Sequence, residues 1–146
     1  STAPPPGIPW LLDKILLAAN FDPEKDVYIT NSVFRMPPGD DKAFRKPSDA
    51  EVDYYRPFVF EIIRIIDPLV ILLTGNVACQ SVLRRTGITN LRGQWTQMGD
   101  RWVMPIFHPS YLLRNQSRDP GSPKALMWED IREVRKKYDE LHNAAK

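Results

Sequence analysis

The sequence predicts an α/β fold with a short, mostly parallel central sheet. Two uninterrupted apolar runs, Leu69–Leu73 and Val103–Phe107, are typical of strands that are buried on both faces, as in parallel sheets. Segments with apolar residues at helical spacing precede and follow these runs. Because strands that alternate with helices usually form a mostly parallel sheet, this order favours the α/β class.

The N-terminal third of the chain contains two predicted helices and one predicted strand. The first helix ends at Asn20, and its apolar face consists of Ile8, Leu11, Leu12, Ile15, Leu16 and Ala19. The run Val27–Thr30 is rich in β-forming residues and predicts a strand. Ser48 and Glu51 have capping-box spacing and begin a second helix. We expect Pro57 to kink that helix or to divide it in two.

The remaining elements surround the two apolar runs. Thr74-Gly75-Asn76 turns the chain from the first run into a short helix. An irregular segment or a hairpin is expected over residues 91–102, and the second run ends at His108. Pro109–Leu113 predicts another short helix. Ser122-Pro123, an N-cap residue followed by a proline at the first helical position, begins a long last helix.

Length and composition limit the class of protein. A chain of 146 residues predicts one domain over residues 1–146, with a proline-rich lead-in over residues 1–10. The longest uninterrupted apolar run, Leu69–Leu73, is far too short for a transmembrane helix, so no membrane partner is expected. Since Cys79 is the single cysteine, a disulfide framework and any metal site built from several cysteines of this chain are excluded.

Positive charge is concentrated in residues 84–118. This segment has six arginines and one aspartate, a net charge of +5, and its arginines are Arg84, Arg85, Arg92, Arg101, Arg114 and Arg118. The same segment contains Trp95, Trp102, Phe107 and Tyr111. Basic side chains interleaved with aromatic ones are typical of nucleic-acid binding. The alternative is a solvated basic face above an aromatic core.

Polar residues follow the predicted strands at their carboxyl ends. Asn31 follows the first strand, Thr74-Gly75 the second and His108 the third. Ligands of open α/β sheets bind beyond the carboxyl ends of the strands. We therefore expect Asn31 and His108 on the same rim of the sheet.

Residues around these strand ends resemble those of the family-4 uracil-DNA glycosylases. The similar segments are Val27–Asn31 followed by Pro37-Pro38-Gly39, then Leu91–Trp95, then Phe107–Asn115, and finally Trp-Glu-Asp at 128–130. Their order and spacing match the family over roughly residues 11–141, and the C-terminal segment resembles cyanobacterial-type members in particular. The resemblance implies a three-layer α/β/α domain that removes uracil from DNA.

The resemblance also implies roles for individual residues. Asn31 would read the polar edge of a flipped uracil, because a side-chain amide offers both a donor and an acceptor. His108 would donate a hydrogen bond to uracil O2 as the base departs. Ser110 would help to hold a DNA phosphate and Arg92 would add a phosphate contact, while the duplex would be wedged or clamped by Tyr111, Leu112 and Arg114. This chemistry needs no metal.

Each of these residues also has a structural interpretation. Asn31 could cap a turn, as asparagine often does after a strand. His108 could have a structural role at the end of its strand. Leu112 and Leu113 could simply pack a short helix against the rest of the protein.

Three departures from the family pattern bear on activity. The family begins with a strand that ends in a Gly-Glu-x-Pro-Gly motif; no such segment is present from Ser1 onward, so we expect the first strand to be missing. Pro4 stands where the family has a phenylalanine that stacks on uracil. Arg35 and Tyr55 stand at two positions where the family has cysteine ligands of a 4Fe-4S cluster. We therefore predict no cluster and no other cofactor.

Two functional hypotheses follow. The first is a degenerate uracil-DNA glycosylase-like domain of the base-excision-repair lineage that acts as a nucleic-acid-binding or assembly module. The alternative is an active glycosylase that hydrolyses the N-glycosidic bond of a flipped uracil, either as this chain itself or as a fragment of a longer chain. The expected partners are single- or double-stranded DNA and a protein that completes the sheet. The expected location is the cytoplasm, or the plastid stroma in a photosynthetic eukaryote.

Overall fold

The computed structural model describes residues 8–32 and 46–144. Helices and strands alternate through the second half of the chain, as the sequence predicts. The elements of the described residues are α1 (Ile8–Ala18), α2 (Asp49–Ile66), β1 (Val70–Thr74), α3 (Asn76–Leu83), α4 (Ile88–Leu91), β2 (Thr96–Met98), β3 (Arg101–Ile106), α5 (Pro109–Arg114) and α6 (Pro123–Ala144).

The central sheet has the strand order β1-β3-β2. β1 and β3 are parallel, in a register that runs from Val70 opposite Trp102 to Thr74 opposite Ile106. β2 pairs with β3 in an antiparallel hairpin, so the hairpin alternative for residues 91–102 is correct. The predicted α/β class with a short, mostly parallel sheet is confirmed.

Two apolar clusters lie on opposite faces of this sheet. On one face α1, α5 and α6 enclose a cluster of Leu16, Ala19, Phe21, Met104, Ile106, Phe107, Leu112, Met127, Ile131 and Val134. On the other face α2, α3 and α4 enclose a cluster of Val59, Leu73, Cys79, Val82, Leu91 and Val103. Because successive side chains of β3 point to opposite faces, this strand contributes to both clusters. The result is the expected three-layer α/β/α arrangement.

The prediction of a strand at Val27–Thr30 is wrong, because these residues form no strand. Tyr28 and Ile29 are exposed, at 59% and 54% of their surface. A β-rich sequence becomes a strand only when a neighbouring strand accepts its hydrogen bonds, and β-propensity depends strongly on that context. Within the described residues, β1 pairs with β3 on one side and with no strand on its other side.

Helix α2 shows one confirmed prediction and one correction. The capping box is present: Ser48 Oγ accepts a hydrogen bond from the Glu51 amide, and the Ser48 amide donates to Glu51 Oε1. Pro57, however, does not divide the helix, which continues to Ile66. Pro57 and Asp53 are both exposed, so water can satisfy the carbonyl of Asp53 that loses its helical hydrogen bond.

Helix α6 begins where the sequence predicts. Ser122 Oγ accepts a hydrogen bond from the Ala125 amide at 3.4 Å, and Pro123 occupies the first helical position. None of the helices among residues 8–32 and 46–144 combines the length and the apolar composition that a membrane span requires.

Candidate functional site

The carboxyl ends of the parallel strands β1 and β3 form the rim of the candidate site. Thr74 and Ile106 are paired at the end of the register, and the Gly75 amide donates to the Ile106 carbonyl at 3.0 Å. His108 follows β3 directly beyond this point. The structure thus brings Gly75 and His108 together at the predicted rim.

The imidazole of His108 is held by the first turn of α5. His108 is the N-cap residue of that helix, and its Nδ1 accepts a hydrogen bond from the Ser110 amide at 3.1 Å. Ser110 Oγ also lies 2.7 Å from Nδ1. Because a backbone amide can only donate, Nδ1 is unprotonated and the neutral ring has its proton on Nε2. Ser110 therefore fixes the tautomer of His108.

Burial lowers the pKa of His108, and the positive charge of Arg114 lowers it further. The imidazole therefore stays neutral at physiological pH. A neutral ring with Nδ1 occupied offers one hydrogen-bond donor, the Nε2–H group. Such a fixed donor stabilises negative charge that develops on a bound group without adding a full positive charge to the site.

Asn31 lies outside the sheet. It is exposed, and it follows the irregular segment 27–30 rather than a strand. Among the described residues, no hydrogen bond joins Asn31 to His108. The strand on which the expectation of a common rim rested does not form, so a shared rim for Asn31 and His108 stays a prediction. Recognition of a base by Asn31 stays a prediction.

Helix α5 has one buried and one exposed face next to His108. Leu112 is 2% exposed and belongs to the core against α1 and α6, so a wedging role for Leu112 conflicts with its position. The exposed apolar residue is its neighbour Leu113, at 41%. Tyr111 is 37% exposed, with its ring 4.9 Å from that of Phe107, and Arg114 is exposed. The surface of this corner consists of Tyr111, Leu113 and Arg114.

The sequence pattern does not mark Leu113 as a site residue. In a six-residue helix, two adjacent leucines give no periodicity that would tell the buried one from the exposed one. Which leucine is buried depends on α1 and α6, which cover Leu112 and leave Leu113 uncovered.

Arg92 faces the protein interior. Its Nε and Nη2 donate to Asp130 Oδ2 and Oδ1 at 2.8 and 2.7 Å, and Asp130 is only 3% exposed. The hydrogen bond with Asp130 raises the pKa of Arg92. The neighbouring Gly93 leaves room for this pair, since a Cβ at Gly93 would lie 2.6 Å from Asp130 Oδ1. Arg92 thus ties the segment before β2 to α6, which argues against a phosphate contact.

The other arginines of the basic segment do not form one stripe. Arg84 pairs with Asp53, and Arg101 pairs with Asp67 at 2.7 Å. Arg101 begins β3, whereas His108 follows its end, so the two are separated by about 20 Å of extended chain. Only Arg114 and Arg118 are close in sequence to the His108 corner.

Two aromatic residues of the basic segment are packed together. Trp95 and Trp102 lie edge to face with ring centroids 6.2 Å apart, and the Nζ of Lys137 lies 4.1 Å from the centre of the Trp102 ring. These indoles therefore form part of the contact with α6. The positions of these two residues therefore agree better with an aromatic core below a basic face than with a nucleic-acid surface.

The residues of this chain do not fit a four-cysteine iron–sulfur cluster. Arg35 lies outside the described residues, and Tyr55 is a half-buried residue of α2 whose ring packs 4.9 Å from that of Tyr54. The single cysteine, Cys79, is fully buried in α3, and burial raises the pKa of its thiol to about 11. A thiol in such a place is a poor metal ligand. Absence of the cluster stays a prediction.

Comparison with known proteins agrees with the resemblance. Residues 4–132 match the family described as the uracil DNA glycosylase superfamily. The chain is 35% identical over 116 residues to the type-4 uracil-DNA glycosylase of Thermotoga maritima, covering 76% of this chain and 56% of that protein. It is also 30% identical over 99 residues to a DNA polymerase of Bacillus phage SP01, covering 68% of this chain and 10% of that protein.

These similarities extend across the elements that form the rim. The match to the family spans α1 through the N-terminal part of α6, as far as Arg132, and includes His108 and α5. The chain itself spans just over half the length of the Thermotoga relative and a tenth of the phage relative. On the family match and the similarity to a type-4 member, this chain belongs to the uracil-DNA glycosylase superfamily.

Proposed function

We propose that this chain is a DNA-binding domain of the base-excision-repair lineage in which uracil excision is degenerate. The observation that carries the proposal is the His108 corner, where a neutral donor adjoins the exposed side chains of Tyr111, Leu113 and Arg114. A basic side chain beside aromatic and apolar ones suits a phosphate and an unstacked base. The proposed location is the cytoplasm, or the plastid stroma of a photosynthetic eukaryote.

Four positions support the loss of excision. Pro4 replaces the residue that would stack on uracil, and base stacking on an aromatic ring is worth about 1–3 kcal/mol. Asn31 follows an irregular segment instead of a strand. Tyr55 and Arg35 replace two cluster cysteines. A flipped uracil would therefore be bound less firmly than excision of the base requires.

One observation favours the alternative, an active glycosylase. The Nε2–H of His108 has the protonation state needed to donate to uracil O2 while the bond between N1 and the sugar C1′ breaks. The bonding electron pair leaves with the base, water supplies the hydroxyl group that C1′ gains, and a proton from that water ends on uracil. Leaving-group stabilisation of this kind is often the largest single contribution to such a reaction.

The second side of β1 supports an assembly role as well, because no strand pairs with it among residues 8–32 and 46–144. Ile66 and Leu69, 42% and 38% exposed, lie just before the strand, and an unpaired strand edge is a template for another extended segment. We propose that a protein partner adds a strand beside Val70–Thr74. In the chain alone, the β1 amides that point away from β3 should exchange rapidly with solvent. Protection of every β1 amide in the chain alone would contradict the need for a partner.

Single-turnover excision on a uracil-containing single-stranded oligonucleotide tests the proposed function. Wild type is compared with His108→Ala and Asn31→Ala, and binding of the same oligonucleotide is measured over a series of salt concentrations. The degenerate DNA-binding domain predicts no cleavage together with binding that weakens steeply as salt rises.

The other outcomes are equally informative. Cleavage by wild type that is lost in His108→Ala would establish the glycosylase alternative. Loss in Asn31→Ala as well would show that Asn31 reaches the base despite its position. If neither cleavage nor salt-sensitive binding is observed, DNA is rejected as the ligand. The unpaired side of β1 then remains as the candidate functional surface.

A further inference from the structure

A shallow groove lies where α1, α5 and α6 meet, away from the imidazole of His108. Its volume is about 260 Å³. Its apolar lining includes Leu11 and Ile15 of α1 and Met127 of α6. The indole of Trp128, 42% exposed, also lines the groove, and the lining cations are Arg118, Lys124 and Lys14.

Two cations of the groove, Arg118 and Lys124, are supported by the segment that joins α5 to α6. Lys124 Nζ donates to Gln116 Oε1 at 2.6 Å, and Gln116 Nε2 donates to the Leu113 carbonyl at 2.8 Å. Asn115 Nδ2 donates to the Tyr111 carbonyl. These bonds fasten the segment that carries Arg118 to both helices. The two cations and the indole are thus parts of one supported surface.

Size and charge together indicate what the groove binds. It is smaller than the 300–1,000 Å³ typical of sites for larger organic ligands. An amphipathic helix would need anchor pockets over two turns or more, which a groove of this volume does not supply. One planar group against the indole, with one anionic group beside the lining cations, fits this groove.

We propose that this groove binds a single unpaired nucleotide of DNA, with its base against Trp128 and its phosphate between Arg118 and Lys124. The inference rests on the proposed DNA-binding function and extends it beyond the His108 corner. Leu112, which also lines the groove, belongs to the same helix as Tyr111 and Arg114. That helix is about 9 Å long and His108 is its N-cap residue, so the groove adjoins the same short helix as the His108 corner.

The test uses fluorescently labelled oligothymidine without uracil, which separates this site from excision. We expect Trp128→Ala to weaken binding about tenfold, and Trp128→Phe to retain most of the affinity because phenylalanine keeps a stacking face. We expect Arg118→Ala combined with Lys124→Ala to weaken binding and to reduce its salt dependence. The matched control is Arg85→Ala combined with Lys136→Ala, which removes two exposed cations elsewhere on the surface.

The outcomes separate the inference from the function on which it rests. Salt-sensitive binding by wild type, with unchanged affinity in Trp128→Ala and in the Arg118/Lys124 double variant, would overturn the groove and leave the DNA-binding function standing. Equal loss in the control and groove double variants would also overturn it. Absence of any wild-type binding would overturn both. Circular dichroism of each variant verifies that the fold is intact.

Discussion

Gly75 leaves the space beside His108 open at the rim of the sheet. A Cβ atom built on Gly75 would lie 3.1 Å from the Cβ and 3.8 Å from the Cδ2 of His108. Gly75 also has a φ of +89°, a conformation that side chains with a Cβ rarely adopt. Gly75 is therefore the residue that lets the imidazole sit directly beyond the end of β1.

We expect Gly75→Ala to lower the free energy of unfolding by about 2–4 kcal/mol, from backbone strain plus displacement of His108. Gly87→Ala is a control for positive φ without the neighbouring imidazole, since Gly87 has a φ of +95°, a left-handed ψ of 59° and nothing within 4 Å of its built Cβ. Urea denaturation of both variants measures the difference. Equal losses would mean that contact with His108 adds nothing to the strain.

The pKa of His108 is expected below its ordinary value of about 6.5, and Arg114→Ala is expected to raise it. The unfolded chain then binds the proton more readily than the folded chain does. The free energy of unfolding is therefore unaffected above pH 6.5, falls as the pH is lowered below that value and levels off below the folded pKa.

NMR titration of the His108 ring measures this pKa, with His142→Asn used to assign the two histidine signals. A His108 pKa at or above 6.5, or a pKa that Arg114→Ala leaves unchanged, would contradict the burial and charge argument. His108→Gln should remove the corresponding part of the pH dependence of stability.

Asp130→Ala should destabilise the fold by about 2–4 kcal/mol, because it leaves the half-buried Arg92 without its bidentate partner. Asp53→Ala, which breaks the exposed pair with Arg84, should cost only about 0–1 kcal/mol. Thermal or urea unfolding of the two variants checks the contrast. Similar losses would show that burial of Asp130 does not strengthen its contribution.

The salt dependence of DNA binding separates Arg114 from Arg92. Removing one phosphate contact to a single strand should lower the slope of log K against log salt by about 0.7. We expect this for Arg114→Ala and no change for Arg92→Gln, because the Arg92 guanidinium is engaged by Asp130. A reduced slope in Arg92→Gln, measured well below its unfolding temperature, would restore the phosphate contact that the resemblance implies.

Leu112 and Leu113 should respond in opposite ways to truncation. Leu112→Ala removes a buried side chain and should cost about 2–5 kcal/mol of stability. Leu113→Ala should change stability by less than about 0.5 kcal/mol but weaken DNA binding, since this leucine is 41% exposed beside Tyr111. Denaturation and oligonucleotide binding, measured on both variants, check the two effects. Reduced binding in folded Leu112→Ala with full binding in Leu113→Ala would reverse the assignment.

The sequence by itself determined the features that depend on neighbouring residues along the chain. The two apolar runs predict β1 and β3 because a parallel strand buried on both faces needs apolar side chains on both. Ser48 and Glu51 mark the start of α2, and Ser122-Pro123 marks the start of α6, because caps act within one helical turn. His108 at the rim follows from the parallel order alone.

The tertiary structure determined the features that depend on contact between two elements. Val27–Thr30 has a strand sequence, yet a strand exists only when its hydrogen bonds have a partner. Whether Leu112 or Leu113 is buried depends on α1 and α6, which lie far away in the sequence. Arg92 is drawn inward by Asp130, 38 residues later, because a buried carboxylate demands a partner that no local pattern reveals.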